Sequence, residues 1–370
     1  MSNSIAAGGS ELHLLTLCRQ LGRRGVRQTV AYLHERPVSR ILKGEFEAAG
    51  IRTLPVGADG RYNVLFPLTV SAIVARVRPD ILHTHLPRAD LAGGFVKLRR
   101  RDLPWVVSMH NIYGRHSWSG PALLPLLDVV WRRADRIIAI SGAVKEWLVR
   151  GRGVPADRVR VIHYGIDPAP FAAAPPEAKQ QWGLDGRPVV AAIGRLTPHK
   201  GFAGLIASWR IVHRARPDAV LAIAGWDVGG YRRELEAQID SLGLTGAVRL
   251  LGFVDDVPAF LAASDVFVLP STSEGFGQVV IEAMAASRPV VVTRIPPLTE
   301  IVADGETGVL VAPDDQDALA AALVRLLTNP DQAAAMGVRG RDRVLTMFSA
   351  GRMADQTLEV YSRLGRDHDA

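Results

Sequence analysis

Apolar and polar residues follow two alternating patterns along the chain. Short apolar runs bounded by polar turns are typical of buried strands, and longer segments with apolar residues three or four positions apart are typical of amphipathic helices. In the first half we predict strands at 28–33, 80–85, 105–109 and 136–140, with helices at 11–21 and 121–132. Strands that alternate with helices in this way indicate parallel βαβ units.

A Pro-rich stretch, DPAPFAAAPP at 167–176, interrupts this alternation and reads as a linker. Beyond it we predict strands at 188–193, 219–224, 247–251, 265–269 and 289–292, with helices at 202–213 and 231–242. The predicted fold class is therefore α/β, with two facing doubly wound (Rossmann-like) parallel-sheet domains. In such sheets ligands bind beyond the carboxyl ends of the strands.

The predicted boundaries are an N-terminal domain at 1–166, a linker at 167–186, a C-terminal domain at 187–345 and a helix at 346–370 that packs back toward the N-terminal domain. In a doubly wound sheet the first strand is central and buried on both faces. The segment SNSIAA, at 2–7, is polar and short for such a strand. We therefore expect the first strand to be missing and the working protein to carry further residues upstream.

Composition narrows the class of protein. With 48% hydrophobic and 22% charged residues the chain is globular, and a single cysteine, Cys18, excludes an internal disulfide framework. No apolar run reaches the roughly 18–20 residues of a membrane span, and no signal peptide is visible. We expect a cytoplasmic protein that is at most peripheral to a membrane.

The net charge of +7 is spread unevenly. Residues 1–160 contain 25 Lys and Arg against 12 Asp and Glu, a net charge of +13, and the remainder contains 19 against 25, a net charge of −6. Such asymmetry suggests that the N-terminal half meets an anionic partner, for which membrane lipid is one candidate. No nucleic-acid-binding motif is present, so nucleic acid is not expected. A solubilising charge spread over the surface remains the alternative.

The stretch 270–290 carries the clearest chemistry. An apolar strand is followed by the turn Gly275-Phe276-Gly277 and then by a helix, a geometry that points backbone N–H groups at an anion. Glu274 lies in the loop and Glu282 in the helix, seven positions further on. With a pyrophosphate at the helix start, Glu282 would reach a ribose, whose hydroxyls are donors, and Glu274 would face the group beyond the phosphates. Taken alone, the spacing also fits a solvated helix face after a flexible turn.

A second loop is basic. Arg195 and Lys200 follow the strand predicted at 188–193, where positive charges can bind a diphosphate. An exposed basic loop is the alternative. No acidic pair is placed to hold a metal, so we predict a nucleotide-diphosphate site without a metal or other cofactor, in which cationic side chains neutralise the leaving group.

Taken together, these motifs resemble the retaining glycosyltransferases of family 4, which have the two-domain GT-B fold. The resemblance covers nearly the whole chain. It is carried by the segments 8–11, 79–85, 134–141, 161–167, 194–201 and 274–285. It implies a hexosyltransferase that moves a sugar from a nucleotide-sugar donor to an acceptor hydroxyl, with the anomeric configuration retained. A glycan or lipid-linked acceptor in glycolipid or cell-surface polysaccharide biosynthesis is implied as well.

The resemblance also implies roles for individual residues. Arg195 and Lys200 would hold the diphosphate, and Glu282 the ribose. Glu274 would contact the transferred sugar, with Gly275, Phe276 and Gly277 beside it. His110 would reach this sugar near the reaction centre, and Gly8 and Gly9 would approach the donor from the opposite domain. His83 and His85 are expected to be structural.

Two segments depart from the family pattern. Pro296-Pro297 stand where backbone donors are usual, and proline has no N–H, so the identity of the sugar stays open. The segment 225–230, GWDVGG, replaces a common turn and would reshape the base pocket. A GT-B-fold nucleotide-sugar epimerase and a non-catalytic donor-binding subunit remain the alternative functions. The sequence does not choose among UDP, GDP and ADP, and it leaves the acceptor open.

Overall fold

The protein is described by a computed structural model that covers residues 1–6, 8–34, 41–57, 65–113, 120–172, 179–184 and 186–369. The chain forms two compact units. Unit 1 comprises Met1–Gly165 and Ala350–Ala370, and unit 2 comprises Ile166–Ser349. Residues 173–178 and 185 of the predicted linker lie outside the described residues.

Strands and helices alternate through both units. The strands are β1 (Ser2–Ser4), β2 (Thr29–His34), β3 (Arg52–Pro55), β4 (Leu82–His85), β5 (Trp105–Met109), β6 (Arg136–Ala139), β7 (Val159–Val161), β8 (Val189–Ile193), β9 (Val220–Ala224), β10 (Val248–Gly252), β11 (Val266–Leu269), β12 (Val290–Thr293) and β13 (Gly308–Val311). All nine strands predicted from the sequence are present, with ends within two residues of those predicted.

The helices that pack on the sheets are amphipathic or largely apolar. They are α1 (Gly9–Arg23), α2 (Lys43–Ala48), α3 (Phe66–Val77), α4 (Pro87–Arg99), α5 (Gly120–Trp131), α6 (Gly142–Glu146), α7 (Phe202–Ala215), α8 (Tyr231–Ser241), α9 (Val257–Ala262), α10 (Gln278–Ala285), α11 (Pro296–Ile301), α12 (Gln316–Thr328), α13 (Pro330–Met347) and α14 (Ala350–Asp369). No helix in the described ranges has the length and apolar character needed to cross a bilayer.

Unit 1 is built on a seven-stranded parallel sheet in the order β3-β2-β1-β4-β5-β6-β7. The interior strand β5, of sequence WVVSM, is buried along its whole length, as expected for a strand covered on both faces. Right-handed crossovers place α1 and α2 on one face and α3, α4 and α5 side by side on the other.

The last helix belongs to unit 1 and completes its core. Met353, Val360 and Leu364 of α14 pack in one apolar cluster with Leu17 and Leu21 of α1. At the edge of this contact Arg24 Nε lies 2.7 Å from Asp355 Oδ1. The pair is exposed, so the apolar cluster is what holds α14 on α1.

The expectation that the first strand is missing is wrong, because β1 lies between β2 and β4 and is hydrogen-bonded to both. Two of its polar side chains accept hydrogen bonds from backbone N–H groups. Ser4 Oγ accepts a hydrogen bond from Ala6 N at 3.0 Å, and Asn3 Oδ1 accepts one from Ala89 N at 2.8 Å. Since a serine hydroxyl both donates and accepts and is small, it can be buried in a strand without water. Ile5, fully buried after the strand, supplies the apolar anchor.

Unit 2 has a six-stranded parallel sheet in the order β10-β9-β8-β11-β12-β13. The chain runs outward from β8 to β10, returns, and runs outward again from β11 to β13. β8 and β11 are therefore neighbours at the point where the strand order reverses. The loops that follow these two strands leave the sheet side by side, which is where ligands bind in folds of this kind.

Replacing Ser4 by alanine tests the account of β1. The substitution leaves the buried Ala6 N–H without its acceptor, which should cost about 1–3 kcal/mol of stability. We expect faster hydrogen exchange in peptides that cover β2 and β4. Thr69→Ala, on the exposed side of α3, is the matched control and should exchange like the wild type. Unchanged protection in Ser4→Ala would contradict the role given to the hydroxyl.

Candidate active site

Two loops at the carboxyl edge of the unit 2 sheet, at 194–201 and 270–277, are packed tightly together. Thr272 N donates to His199 O at 2.9 Å. Gly201, with φ of +72°, lies so close to the next loop that a Cβ on it would come within 2.1 Å of Pro270 O. Only glycine fits there, both because of its φ and because of this contact.

The contact between the loops brings together two of the predicted site residues. Lys200 Nζ lies 2.5 Å from Glu274 Oε1, and the two side chains are only 13% and 11% exposed. Ser271 Oγ donates to the same Glu274 oxygen at 2.8 Å, and Ser271 O accepts a hydrogen bond from Thr293 Oγ1. With so little solvent around the charges, their Coulomb attraction is screened less than that of a surface pair.

Arg195 is exposed on the same loop as Lys200. The two cations both act on His199, whose pKa is lowered by partial burial first and then by Lys200 and Arg195, while Glu274 opposes the shift. The charges of Arg195, Lys200 and Glu274 therefore all act at His199, and their sum is positive.

The turn Gly275-Phe276-Gly277 leads directly into α10. Gly277 caps the helix with φ of +104°, and a Cβ on it would come within 2.5 Å of Leu298. Phe276 is buried and packs edge-on against Phe348, with 5.9 Å between ring centroids. The turn is thus fixed by packing, and the first N–H groups of α10 point out beside it.

Glu282 lies in α10, one turn after Gln278. Burial raises the pKa of its carboxyl to about 7, against the opposing effect of the hydrogen bond that Gln278 Nε2 donates at 2.9 Å. Gln278 Oε1 is buried and accepts no hydrogen bond from any residue that the structure describes. A buried carboxyl and an unused amide oxygen side by side form an acceptor site that suits a ligand with vicinal hydroxyls.

An aromatic pair stands at the same edge of the sheet, beyond β9 and β10. The rings of Trp226 and Phe253 are stacked, with centroids 5.4 Å apart and planes inclined by 21°. Phe253 is nearly half exposed. Trp226 lies in the segment 225–230, which departs from the family pattern. In the structure this segment contributes an aromatic ring surface.

The remaining predicted residues lie in unit 1. Gly8 is the extended N-cap of α1, and Gly9 is the first helical residue. A Cβ on Gly8 would come within 2.8 Å of Glu11 Oε2, so the Glu11 carboxylate lies beside the first turn of the helix. Ser10 Oγ donates to this carboxylate oxygen at 2.7 Å.

His110 follows β5 and is buried in a cluster of rings. Its Nε2 lies 2.9 Å from His85 Nδ1, and its Nδ1 lies 2.5 Å from Tyr164 Oη. Burial lowers the pKa of His110 to about 3, so the imidazole is neutral at physiological pH. His13 stacks on Tyr164, with centroids 4.0 Å apart. Because both ring nitrogens of His110 have partners, the side chain is held in a fixed orientation.

His83 and His85 lie on β4. His83 is hydrogen-bonded to Tyr361 Oη and to Ser108 Oγ, at 2.6 and 2.8 Å. Burial lowers the pKa of both histidines well below the usual value. His85 contacts His110 directly and helps to hold its ring in place.

Unit 2 also has a cavity of about 220 Å³ beside α7 and α12, lined by residues that include Pro198, Gly201, Thr272 and Asp314. None of the predicted site residues lines it. It is smaller than most ligand pockets, so we assign it no ligand. In the described part of the chain no group of three or more His, Cys, Asp or Glu side chains could hold a metal ion.

The structure thus joins Lys200 to Glu274, places Arg195 on the same loop as Lys200, and places Glu282 in the helix that follows the Gly-rich turn. Sequence reasoning missed the polar residues that support them. Ser271 and Thr293 follow or end neighbouring strands, and polar residues at such positions are a usable signal in a parallel sheet.

The fold is that of a GT-B glycosyltransferase. A family model described as "Glycosyl transferases group 1" matches residues 175–343, and one described as "Glycosyltransferase Family 4" matches residues 7–170. The chain belongs to glycosyltransferase family 4 and is a hexosyltransferase.

Curated relatives support this assignment over most of the chain. The alpha-maltose-1-phosphate synthase of Mycolicibacterium smegmatis is 33% identical over 77% of this chain and 79% of its own length. The lipopolysaccharide core biosynthesis glycosyltransferase LpsE of Rhizobium meliloti is 30% identical over 95% of both chains. Among solved structures, Anabaena HepE in complex with UDP and glucose is 25% identical, covers 98% of both chains and superposes with a TM-score of 0.85.

Glu282→Gln should stabilise the ligand-free protein while weakening donor binding. Since the pKa of Glu282 is raised from 4.5 to about 7, the folded state binds more protons than the unfolded state between these values, and stability falls as pH rises through this window. Glutamine does not ionise and can still accept from Gln278. The gain in the free energy of unfolding should therefore appear between pH 4.5 and 7. Above pH 7 it should reach about 1–3 kcal/mol.

Thermal unfolding at a series of pH values, together with titration of nucleoside diphosphate, measures both effects. Glu236→Gln, at an exposed position of α8, is the matched control. A gain in stability that does not depend on pH would contradict the assignment.

Ser271→Ala should lower turnover more than nucleotide binding. The hydroxyl donates to the charged oxygen of Glu274, and a hydrogen bond of this kind contributes about 1.5–3 kcal/mol, so we expect kcat to fall about 10- to 100-fold. Ser271→Thr keeps the hydroxyl and should restore part of the activity. Ser273→Ala, exposed in the same loop, is the control. Equal losses in Ser271→Ala and Ser271→Thr would mean that the residue acts only through packing.

Proposed function

We propose that this hexosyltransferase transfers a sugar from a nucleoside-diphosphate sugar to an acceptor hydroxyl with retention of the anomeric configuration. The observation that carries the proposal is the nearly buried Lys200–Glu274 pair, with Arg195 close by, at the start of α10. The HepE structure, which contains UDP and glucose, supports a donor of this class.

In this proposal the donor diphosphate lies against Arg195, Lys200 and the first N–H groups of α10. Negative charge develops on the departing phosphate oxygen during transfer. Two cations and the positive end of a helix stabilise this charge, Lys200 after it has turned from Glu274 to the phosphate. The same cations would take the place of a metal ion.

The ribose of the donor lies against Glu282 and Gln278. Two vicinal hydroxyls would donate to the carboxylate and to the amide oxygen that is left unused in the ligand-free protein. Hydrogen bonds to the charged form favour ionisation, so nucleotide binding would lower the pKa of Glu282 from its raised value. The stacked Trp226–Phe253 pair offers an apolar surface to the base beyond.

Glu274 is proposed to contact the transferred sugar. In the ligand-free protein it neutralises Lys200, and the diphosphate would compete for this cation. When Lys200 turns to the phosphate, Ser271 still donates to Glu274 and keeps it in place. In unit 1, Gly8, Gly9 and His110 are proposed donor contacts, as the family resemblance implies, with His110 acting as a neutral group.

The acceptor is proposed to be a glycan or a lipid-linked sugar. LpsE, which is similar over nearly the whole chain, is a lipopolysaccharide core biosynthesis glycosyltransferase. The excess of positive charge in the first 160 residues suits an acceptor presented at an anionic surface. We therefore place the reaction in glycolipid or cell-surface polysaccharide biosynthesis, with the enzyme peripheral to a membrane.

Arg195→Ala and Lys200→Ala should each lower the transfer rate about 100- to 1,000-fold, the usual effect of removing one donor that stabilises transition-state charge. A panel of UDP-, GDP- and ADP-sugars, scored by nucleotide release with and without a lipid-extract acceptor, identifies the donor and supplies the assay. Arg233→Ala, exposed on α8, is the matched control.

Near-wild-type turnover in either variant, with the fold intact, would refute the diphosphate site. Conversion of donor to an epimer without an acceptor would identify an epimerase instead. Donor binding without turnover of any sugar in the panel would indicate a binding subunit.

A further inference from the structure

The outward side of α5 is apolar although it faces solvent. Leu123, Leu126 and Val129 are 38%, 52% and 45% exposed and recur every three residues, so they form one stripe. Leu124, Leu127 and Val130, which follow these residues one by one, are buried, and Val130 lies against Gly94 of α4. They supply the packing of α5, and the exposed stripe is left partly uncovered by unit 1.

The two neighbouring helices also expose apolar residues. Leu68 of α3 and Leu98 of α4 are 46% and 55% exposed, and Leu91 and Phe95 of α4 are half-buried on the same helix. Among the side chains of α3, α4 and α5 that the structure describes, the exposed ones are apolar residues, Thr69 and arginines, and none is acidic. We call this surface the α3–α5 face.

Arginines line one edge of the α3–α5 face. Helices on one side of a parallel sheet run in the same direction, so the C-terminal ends of α3, α4 and α5 lie along a single edge. The exposed arginines there are Arg76, Arg78, Arg99, Arg100, Arg101, Arg132 and Arg133. Two exposed carboxylates lie among them, of which Asp102 pairs with Arg100 at 2.8 Å. The edge is strongly cationic.

Arginine near a helix C-terminus is favourable on its own account, because it complements the helix dipole. This explains neither the exposed leucines nor the lack of exposed acidic residues among the described side chains of α3, α4 and α5. A contiguous exposed apolar surface marks an interaction site, and an apolar side bordered by arginine is typical of segments that lie in the interface of an anionic bilayer. A protein partner would need acidic groups matched to the arginines, whereas anionic lipid presents them everywhere.

We propose that the α3–α5 face docks on a bilayer that contains anionic phospholipid, with the α5 stripe inserted between headgroups and the arginine edge on the phosphates. The inference names the surface by which the proposed enzyme would reach a lipid-linked acceptor, and it rests on the proposed function only for that purpose. Vesicle binding itself does not depend on the transfer reaction.

The test is binding of the full chain to two kinds of vesicle, phosphatidylcholine alone and three parts phosphatidylcholine to one part phosphatidylglycerol. The wild type should bind the anionic vesicles more tightly, and less so as salt shortens the screening length from about 8 Å at 0.15 M to about 3 Å at 1 M. The triple variant Leu123→Ser, Leu126→Ser, Val129→Ser should bind both kinds about tenfold less tightly or worse, because the apolar insertion is lost.

A second variant tests the arginine edge. The substitutions Arg99→Glu, Arg100→Glu and Arg101→Glu should weaken binding to anionic vesicles about a hundredfold, since each basic residue near such a surface contributes roughly a fivefold factor. Binding to neutral vesicles should change little. Two matched controls lie in unit 2 at exposed positions: Val338→Ser with Leu345→Ser, and Arg210→Glu with Arg214→Glu and Arg233→Glu. Both should bind like the wild type.

Donor hydrolysis in the absence of lipid separates this inference from the proposed function. All four variants should hydrolyse donor at the wild-type rate, because none touches the site in unit 2. Equal wild-type binding to the two kinds of vesicle, no binding to either, or unchanged binding by the α5 variant would overturn the inference while donor turnover stands. Dimerisation that the α5 substitutions abolish would also overturn it, because the face would then be covered by a second copy.

Discussion

The contact between Gly201 and the Pro270 carbonyl is the constraint on which the site in unit 2 depends. It brings together two loops that leave neighbouring strands, and Lys200 and Glu274 are joined as a result. Any side chain at position 201 would push the loops apart. Taking one charge of such a shielded pair away leaves the other uncompensated. A ligand that separates Lys200 from Glu274 must therefore carry negative charge to compensate the lysine. The ion pair thus makes the site selective for anions.

Sequence patterns predicted the fold well wherever strands are long and apolar. β9 is a continuous apolar run, and β5 is one except for Ser108, because helices cover both of their faces. β1 was missed because its residues are polar and its place in the sheet is fixed by hydrogen bonds to distant segments, such as the one from Ala89 to Asn3. The amide involved lies 86 positions along the chain, and no local pattern records such a pairing.

The site residues were predictable where their position after a strand indicates their chemistry. Charged residues after β8 and β11 were found because parallel strands deliver their loops to one edge. The residues that support these charged side chains were not found, since strand register decides which side chains meet across the sheet. Ser271 meets Thr293 because β11 pairs with β12, and His110 meets Tyr164 across 54 positions. The neutral state of His110 follows from its burial, which a sequence alone does not show.

The divided composition of unit 1 sets an order of assembly during synthesis. Domains usually fold as they emerge, the first part of the chain before the second. Here the cluster formed by Leu17, Leu21 and Ile138 stays incomplete until α14 has been translated, because Met353 and Leu364 belong to it. Unit 2 is continuous and precedes α14 in the chain, so its core does not depend on this last helix. Until α14 is available, the earlier half of the chain has part of its apolar surface uncovered, which makes it a candidate client of chaperones.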